Sequence, residues 1–411
     1  MRILIHTMYY LPDMGSAPIL MDELASSLAA RGHTVEIITT LPRPPHNRGY
    51  EGRIYVRENR NGVLVKRFPT NFTAHPIGRL IAWTIYTLAT FWNLRTVRRG
   101  DIVFLRLPPL QLGLTGILAR YLRGASVILN VQDIHPDLSI EAGLLRNPFA
   151  IRAAKAFEKL LYDGHDCIAV ISEGFKKNLL AKGVPEKKIA VIPNWVDTEF
   201  LRPLPKDNPV SRKYGLYDLF TVAYSGTISI SSFETLVRIL EAGRFLAADP
   251  KIRIVIVGDG LKLPELRARA ESLKLGNVVF LPFQPYADLP HLLASADALL
   301  VPLDKDKSHL SVPSKLYNFL AAGRPILGLA TEDSEVFQII RDAECGLCAP
   351  PDDPIRIAAA IRTLKESPAL CADTAARGRR LAEQTYSRRS VIDAFETLMR
   401  SFEGRTGRTA S

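Results

Sequence analysis

The sequence has few cysteines and no apolar run long enough to cross a bilayer. Only 4 of its 411 residues are cysteine, which excludes a disulfide scaffold and favours a reducing cytoplasm. Cys345 and Cys348 form a Cys-x-x-Cys pair, but no second pair or nearby histidine completes a zinc site, so packing is the simpler interpretation. The most apolar stretch, residues 80–92, is shorter than the roughly 20 residues that span a membrane. The opening MRILIHTMYY lacks a charged leader before a long apolar core, so it is typical of a β-strand rather than a signal peptide.

Composition and charge are those of a globular protein with an affinity for anions. Apolar residues make up 47% of the chain and charged residues 23%, and the length suits two domains of about 200 residues each. The formal net charge is +11, with the excess of basic residues concentrated in the first hundred positions. Such a basic surface attracts nucleic acid, anionic lipid or phosphorylated substrates, although a generally basic proteome would also produce it.

Short β-rich runs alternate with helical spacing almost from end to end. Residues 16–30 have apolar side chains at helical intervals, as do residues 390–402. Continuous Val and Ile runs between helices predict strands buried on both faces, hence parallel sheets. The predicted strands are residues 3–7, 35–39, 102–105, 127–131, 168–171, 189–192, 221–224, 252–257, 278–281, 298–301 and 325–329.

A proline-rich segment, LRPLPKDNPV (201–210), interrupts this alternation. We therefore predict two tandem, doubly wound α/β domains, with ligand bound at the carboxyl ends of the strands in the cleft between them. Residues 389–403 are expected to form a helix that packs back on the first domain. The predicted boundaries are 1–200, a linker 201–217, a second domain 218–388, the helix 389–403 and a flexible tail 404–411.

Two loops have residues suited to binding a phosphate. Gly15 and Ser16 follow the first strand and open a helix, where backbone N–H groups favour negative charge. In SVPSKLYNFLAAGRP (311–325), Ser314 is expected to cap a helix that Gly323 ends, and Lys315 adds a cation to its first turn. Each loop alone is also compatible with an ordinary helix start.

A third glycine turn, Gly258-Asp259-Gly260, follows the predicted strand 252–257. It is similar to a dinucleotide-binding fingerprint, but the third glycine is missing and Pro264 interrupts the pattern. The turn therefore argues only weakly for an NAD-dependent enzyme.

Two long blocks carry a family resemblance: DCIAVISEGFKKNLLAKGVPEKKIAVIPNWVDTEFLRP (166–203) and IRIVIVGDGLKLPELRARAESLKLGNVVFLPFQPYADLPHLLASADALLVP (252–302). With AAGRP at 321–325, they resemble family 4 glycosyltransferases of the GT-B fold, close to bacterial colanic-acid, O-antigen and exopolysaccharide sugar transferases. The resemblance covers nearly the whole chain. It implies two Rossmann-like domains with an interdomain cleft, the first binding the acceptor and the second a UDP-, GDP- or TDP-sugar donor.

The resemblance also assigns roles to individual positions. The diphosphate would lie on the helix that starts near Ser314, the glycine turn would be Ser225-Gly226-Thr227, and the base would lie near Phe283. The common His-Asp pair appears here as Gln132-Asp133, with His135 two places on. The catalytic candidates are Asp133, His135 and Lys315, and the donor-binding candidates are Gly15, Ser16, Gly226, Thr227, Phe283, His309, Ser314, Lys315 and Asn318.

The sequence departs from the family pattern at several of these positions. The Glu-x7-Glu element falls on Leu310 and Asn318. An asparagine can still hydrogen-bond a ribose hydroxyl, although less strongly than a carboxylate, but Leu310 cannot replace a sugar-contacting glutamate. The Arg and Lys that usually follow the Gly226 turn are absent, and Lys315 is expected to supply part of the missing charge.

The resemblance implies a retaining hexosyl- or N-acetylhexosaminyl-type transferase, with the leaving phosphate taking the acceptor proton. Lys315 and the two helix starts would stabilise the growing negative charge. No Asp-x-Asp cluster occupies a suitable loop, and the Asp-Lys-Asp run at 304–306 is better explained as a solvated loop, so neither metal nor other cofactor is expected. A sugar-nucleotide epimerase, a dehydrogenase and a non-catalytic nucleotide-binding scaffold remain alternatives.

A membrane partner is predicted from the first domain, and no nucleic acid is expected. Basic residues crowd positions 41–70, the aromatic stretch 80–92 follows, and Arg95, Arg98 and Arg99 come next. This combination favours an anionic bilayer surface, and the resemblance implies a lipid-linked glycan acceptor at the cytoplasmic, inner face of the plasma membrane. We expect Arg57, Arg60 and Arg67 to contribute to the attraction. The alternative is that 80–92 is one more buried helix.

Overall fold

The computed structural model divides into two compact units. The first contains Met1–Pro193 together with the C-terminal residues from Val391 onward, and the second is Asn194–Ser390. The division therefore lies at 193/194, where the sequence suggested residue 200. The residues that the structure describes are 1–70, 76–141, 143–228, 232–304 and 312–403.

The first unit is built on an eight-stranded sheet with the order β3-β4-β2-β1-β5-β6-β7-β8. Every pairing is parallel except that of β3 with β4. The central strands are buried on both faces because helices cover both sides, which is why they are continuous Val, Ile and Leu runs. The strands are β1 Arg2–His6, β2 Thr34–Thr40, β3 Val56–Arg60, β4 Val63–Phe68, β5 Ile102–Leu107, β6 Ser126–Val131, β7 Cys167–Val170 and β8 Ile189–Val191.

Helices connect these strands, as expected for a parallel sheet. Asn147 caps its helix by accepting hydrogen bonds from two backbone N–H groups, and Ser172 caps the next. The helices are α1 Ser16–Ala30, α2 Pro76–Asn93, α3 Gly113–Arg123, α4 Asp137–Glu141, α5 Pro148–Gly164 and α6 Glu173–Ala181.

The antiparallel β3–β4 hairpin at the sheet edge was missed by the sequence analysis. Asn61 and Gly62 form its turn with φ of 50° and 79°, the left-handed conformation that two-residue hairpin turns require. The dipeptide Asn-Gly was the available signal. The polar strand VRENR concealed it, because an edge strand needs little apolar character.

The second unit has a six-stranded, all-parallel sheet with the order β11-β10-β9-β12-β13-β14. Its strands are β9 Phe220–Ser225, β10 Ile252–Val257, β11 Val278–Leu281, β12 Ala298–Pro302, β13 Ile326–Leu329 and β14 Gly346–Ala349. Its helices are α7 Pro209–Lys213, α8 Phe233–Leu246, α9 Leu263–Ser272, α10 Leu289–Ala294, α11 Lys315–Ala321, α12 Glu335–Ala343, α13 Pro354–Glu366 and α14 Pro368–Gln384.

The segment that we interpreted as a linker, 201–217, is an ordered part of the second unit. Asn208 accepts hydrogen bonds from Val210 N and Ser211 N, and Ser211 Oγ completes a capping box around the start of α7. Prolines there fix the approach to a helix rather than loosen the chain.

The last helix, α15 Arg388–Arg400, continues into the first unit. Phe395 packs edge-on against Phe104 of β5, with ring centroids 5.6 Å apart. Glu396 accepts hydrogen bonds from Arg31 at 2.6 Å and lies 2.9 Å from His33 Nε2. These contacts hold α15 on the face of the first sheet that also carries α1.

Candidate functional site

Three glycines line the carboxyl ends of β9 and β10. Gly226, Gly258 and Gly260 have φ of 153°, 142° and 151°, a region that side chains rarely adopt. A Cβ on Gly258 would lie 2.0 Å from Gly226 O, and one on Gly260 would lie 2.3 Å from Ile228 O. The two turns therefore contact each other through bare backbone, which leaves a surface that a ligand can approach closely.

Lys315, the first residue of α11, reaches this glycine surface. Its Nζ donates a hydrogen bond of 3.0 Å to Tyr224 Oη and lies 4.1 Å from the centre of that ring. A Cβ on Gly226 would be only 2.7 Å from Nζ. Burial lowers the pKa of Lys315 to about 8, and no carboxylate pairs with it among the described residues. Burying a cation without a counter-ion is unfavourable, and a bound anion would offset that cost.

Tyr224 holds the same turn in place. Its hydroxyl donates a hydrogen bond of 2.7 Å to Thr227 O, so the carbonyl of Thr227 is already occupied. Burial raises the pKa of Tyr224 to about 12. The hydroxyl thus stays protonated while it accepts from Lys315. The link from Tyr224 to Lys315 was not visible in the sequence, because the two residues lie 91 positions apart along the chain.

The cap predicted at Ser314 is wrong. Ser314 already has helical backbone angles, and its side chain makes no capping hydrogen bond. The turn begins earlier, since Leu316 N donates to Pro313 O at 2.9 Å, so Ser314 lies inside the first turn rather than before it. The predicted end is confirmed, with Gly323 in the left-handed conformation at φ 61°.

The remaining donor candidates differ in their surroundings. Asn318 is partly buried on α11, and its side chain has no hydrogen-bond partner within the described chain. Phe283 follows β11 and is 75% exposed, so its ring is free to stack on a base. His309 and Leu310 lie outside the described residues.

Asp304 of the Asp-Lys-Asp run has a structural role. Its carboxylate accepts hydrogen bonds from Thr235 N at 3.1 Å and Thr235 Oγ1 at 2.8 Å, at the start of α8. Across the described segments no group of three or more His, Cys, Asp or Glu side chains could hold a metal ion. Cys345 and Cys348 are free thiols whose pKa values burial raises to about 12, so they are inert as nucleophiles.

In the first unit, Gly15 and Ser16 form the exposed start of α1. Gly15 has φ 131°, and the first turn of α1 contains no acidic residue and no side-chain cap. Just before it, the buried carboxylate of Asp13 accepts a hydrogen bond of 2.8 Å from Arg43 N. The free N–H groups of a 15-residue helix therefore point out beyond the carboxyl end of β1.

Asp133 and His135 follow the carboxyl end of β6. His135 Nδ1 lies 3.0 Å from Ser139 Oγ, and the ring packs edge-on against Trp83 of α2. Burial lowers the pKa of His135, while the nearby Asp133 opposes that shift. A neutral imidazole with one nitrogen at Ser139 retains the other for a ligand hydroxyl.

Arg106 is a site residue that the sequence analysis did not find. It is the second-last residue of β5 and lies near Asp133; burial lowers its pKa to about 10, although Asp133 raises it. Its Nε is buried without a hydrogen-bond partner. No pattern in the sequence separates Arg106 from the surrounding strand FLRLPP, because only the neighbouring strand β6 brings Asp133 to it.

The predicted contribution of Arg67 to a basic surface is wrong. Arg67 is fully buried, pairs with Glu58 at 2.8 Å and donates a hydrogen bond to Leu11 O. Side chains alternate between the two faces of the sheet along β4, and that of Arg67 lies on a covered face. Arg60 lies 4.0 Å from Asp22, whereas Arg57 is exposed on the opposite face.

The exposed side of α2 is apolar. The large apolar side chains that α2 exposes, called here the α2 face, are Leu80, Ile81, Ile85, Leu88 and Trp92.

Comparison with known proteins decides the family. Residues 19–195 match the model described as "Glycosyl transferase 4-like domain", and residues 226–381 match "Glycosyl transferases group 1". The chain belongs to the family 4 glycosyltransferases. The second match begins at Gly226 and includes Gly258, Gly260 and Lys315, and the first includes Asp133.

Similar proteins and solved structures agree with this assignment. The chain is 28% identical to the putative colanic acid biosynthesis glycosyl transferase WcaI of Escherichia coli, over 96% of this chain and 98% of WcaI. It is 26% identical to the probable glycosyltransferase WbjE of Pseudomonas aeruginosa, over 74% and 75%. Anabaena HepE, solved in complex with UDP, superposes with a TM-score of 0.74 at 16% identity, over 98% of this chain and all of that one. The fold of this glycosyltransferase is therefore GT-B, as the sequence predicted.

Proposed function

We propose that this glycosyltransferase moves a sugar, with retention of anomeric configuration and without a metal ion, from a UDP-, GDP- or TDP-sugar. The acceptor is a lipid-linked glycan in cell-surface polysaccharide synthesis, and the sugar is a hexose or N-acetylhexosamine. The observation that carries the proposal is Lys315: a desolvated, unpaired cation against the bare backbone of Gly226. That combination is suited to a diphosphate, and the names of WcaI and the HepE–UDP complex support a nucleotide donor and a polysaccharide product.

The proposed role of Lys315 is to stabilise the negative charge that develops on the leaving phosphate during transfer. As the bond between the sugar and the diphosphate breaks, positive charge develops on the sugar and negative charge on the leaving phosphate oxygen. Lys315 Nζ stabilises that oxygen, and Tyr224 fixes the Nζ position through its 3.0 Å hydrogen bond. The acceptor hydroxyl attacks the same face of the sugar and gives its proton to the departing phosphate oxygen.

The first unit supplies the acceptor side of the proposal. Asp133 and His135 lie together just after β6, and the nearby Asp133 carboxylate interacts electrostatically with the buried Arg106. His135 is proposed to bind a sugar hydroxyl of the acceptor or donor.

The apolar α2 face supports a lipid-linked acceptor at the inner face of the plasma membrane. A row of exposed apolar side chains on one helix marks an interaction surface rather than a solvated one. No helix in the described parts of the chain is long and apolar enough to cross a bilayer, so the proposed association is peripheral.

A thermal-shift screen of UDP-, GDP- and TDP-sugars tests the donor assignment, since a ligand that binds only the native state raises its stability. The matching donor should raise Tm by several degrees and should be consumed only when lipid-linked acceptor is present. Donor consumption without acceptor, with inversion at C2, would identify an epimerase instead. Binding without turnover on any acceptor would identify a nucleotide-binding scaffold.

A further inference from the structure

The first unit contains a positively charged cavity that the proposed transfer does not use. The cavity, called here the basic cavity, has a volume of about 500 Å³ and lies on the α2 side of the sheet. One carboxylate, Glu36, lines it. The cationic side chains that line it are Arg2, Arg57, Lys66, Arg95, Arg98 and Arg123.

The basic cavity lies at the opposite sheet edge from the candidate acceptor residues. Arg2 is the first residue of β1, and Arg98 and Arg123 precede β5 and β6. Gly15 and Asp133 follow the carboxyl ends of β1 and β6. Because these strands are parallel, all their amino ends lie on one side of the sheet and all their carboxyl ends on the other. The basic cavity is therefore separate from the candidate acceptor residues.

The charge in the basic cavity is only partly neutralised. Glu36 pairs with Arg2 and with Lys66, each at 2.7 Å, and Asp101 also binds Arg2. By contrast, the side chains of Arg57 and Arg98 make no hydrogen bond or ion pair within the described chain.

Two further arginines are held in place by carbonyl groups rather than by carboxylates. Arg123 Nε donates to Val97 O at 3.0 Å, and Arg95 Nε donates to Trp92 O at 3.3 Å. The Arg95 guanidinium also lies 3.3 Å from the centre of the Trp92 ring. With Arg57 and Arg98, four cations therefore face the basic cavity without an ion pair to a described carboxylate, although Asp101 is near enough to Arg98 to interact with it electrostatically.

An apolar surface begins at the mouth of the basic cavity. An adjoining cavity of about 430 Å³ shares Arg57, Lys66 and Arg95 and is lined by Ile54 and Trp92, which are 80% and 65% exposed. From Trp92 the α2 face continues along the helix. At about 100° per residue its five side chains fall within an arc of about 140°, and α2 contains no acidic residue.

We propose that the basic cavity binds the phosphate headgroup of an anionic phospholipid while Trp92 and the α2 face enter the adjoining leaflet. The inference rests on the membrane part of the proposed function and assigns its specific contact. A free phosphate or sugar phosphate would use the cations alone, whereas a bilayer satisfies both the uncompensated charge and the adjoining apolar row.

Vesicle co-sedimentation of the full chain tests the proposal, with phosphatidylcholine vesicles containing 30% phosphatidylglycerol against pure phosphatidylcholine. The variant Arg57→Gln/Arg98→Gln removes two cations whose side chains make no hydrogen bond or ion pair within the described chain, so it should fold normally. It should bind anionic vesicles about 25-fold more weakly, since each basic residue near an anionic surface contributes about fivefold. The matched control Lys251→Gln/Arg389→Gln removes two exposed charges of the second unit and should bind like the wild type.

Trp92 provides an independent readout of insertion. Trp195 is buried and Trp83 is partly buried, so a blue shift of tryptophan emission on vesicle binding should come mainly from Trp92. The shift should disappear in Trp92→Phe, and Leu88→Gln should weaken vesicle binding without changing Tm, because Leu88 is exposed.

Three outcomes would overturn the proposal: no preference for anionic vesicles, equal losses in the test and control pairs, or no change in Trp92 emission. Stabilisation by millimolar inorganic phosphate without vesicle binding would show that the basic cavity takes a soluble anion instead. Nucleotide-sugar thermal shifts are measured on every variant. If no nucleotide sugar raises the Tm of the wild type or of any variant, the proposed donor function is refuted, and the vesicle result is unaffected.

Discussion

Replacing Lys315 by methionine should abolish most donor affinity without destabilising the free protein. Methionine preserves the length of the side chain and removes its charge. The pKa of Lys315 is lowered from 10.5 to about 8 by burial, which corresponds to roughly 3 kcal/mol of unfavourable desolvation at about 1.4 kcal/mol per pKa unit. A diphosphate beside Nζ offsets that cost. Losing the interaction should therefore weaken donor binding by roughly 1.4–4 kcal/mol, or about tenfold to a thousandfold.

Calorimetric titration of the stabilising nucleotide sugar measures this effect, and the Tm of the ligand-free protein reports folding. The ligand-free variant should have an unchanged or slightly higher Tm, because removal of the desolvated charge offsets the loss of one hydrogen bond to Tyr224 and of the contact with its ring. Lys213→Met serves as the control, since Lys213 is an exposed lysine of the same unit. A variant with wild-type donor affinity and turnover would remove Lys315 from the site, and a strongly lowered Tm would mean that its role is structural.

The remaining predictions concern charge, backbone and packing. Because the folded-state pKa of Lys315 is about 8, the side chain is charged at pH 7 and largely neutral at pH 9. Wild-type donor affinity should therefore fall about tenfold between these two pH values. Lys315→Met, which keeps every other titrating group, should show no such fall. Gly258→Ala places a Cβ 2.0 Å from Gly226 O and should abolish donor binding and cost at least about 1–3 kcal/mol of stability; normal donor affinity in a folded variant would contradict the glycine surface. Asn318→Glu should keep or improve donor affinity in titration, and loss of all nucleotide binding would show that this pocket differs from that of the family. Phe395→Ala should lower the unfolding free energy by about 3–5 kcal/mol in denaturant titration, and a change under 1 kcal/mol would refute the tight packing of α15 on β5.

Strand and helix periodicity predicted most of the parallel architecture. Each predicted run overlaps an observed strand, because strands buried on both faces must be continuously apolar. The β3–β4 hairpin was missed since an edge strand carries polar residues, and β14 was missed because its four residues, GLCA, are short and weakly β-forming. Proline content misled the interpretation of 201–217, where Pro209 starts a capped helix.

The candidate site was predictable only where one local pattern contains the chemistry. Lys315 was found from a helix start and Gly226 through the family resemblance, but their contact depends on Tyr224, which lies 91 residues before Lys315. Arg106 and the basic cavity escaped for the same reason, since their residues are brought together by the order of strands in the sheet. The misassigned Arg67 shows the converse: net charge along the sequence does not tell which basic side chains are buried.

Lys315 and the Gly226 turn are the proposed binding site of the nucleotide diphosphate. A crystal structure of the protein with the nucleotide sugar that stabilises it tests this most directly. We expect a diphosphate oxygen about 3 Å from Lys315 Nζ, with the backbone of Gly226 and Gly258 in contact with the phosphates or the sugar. A diphosphate bound elsewhere, with Lys315 still hydrogen-bonded only to Tyr224, would contradict it.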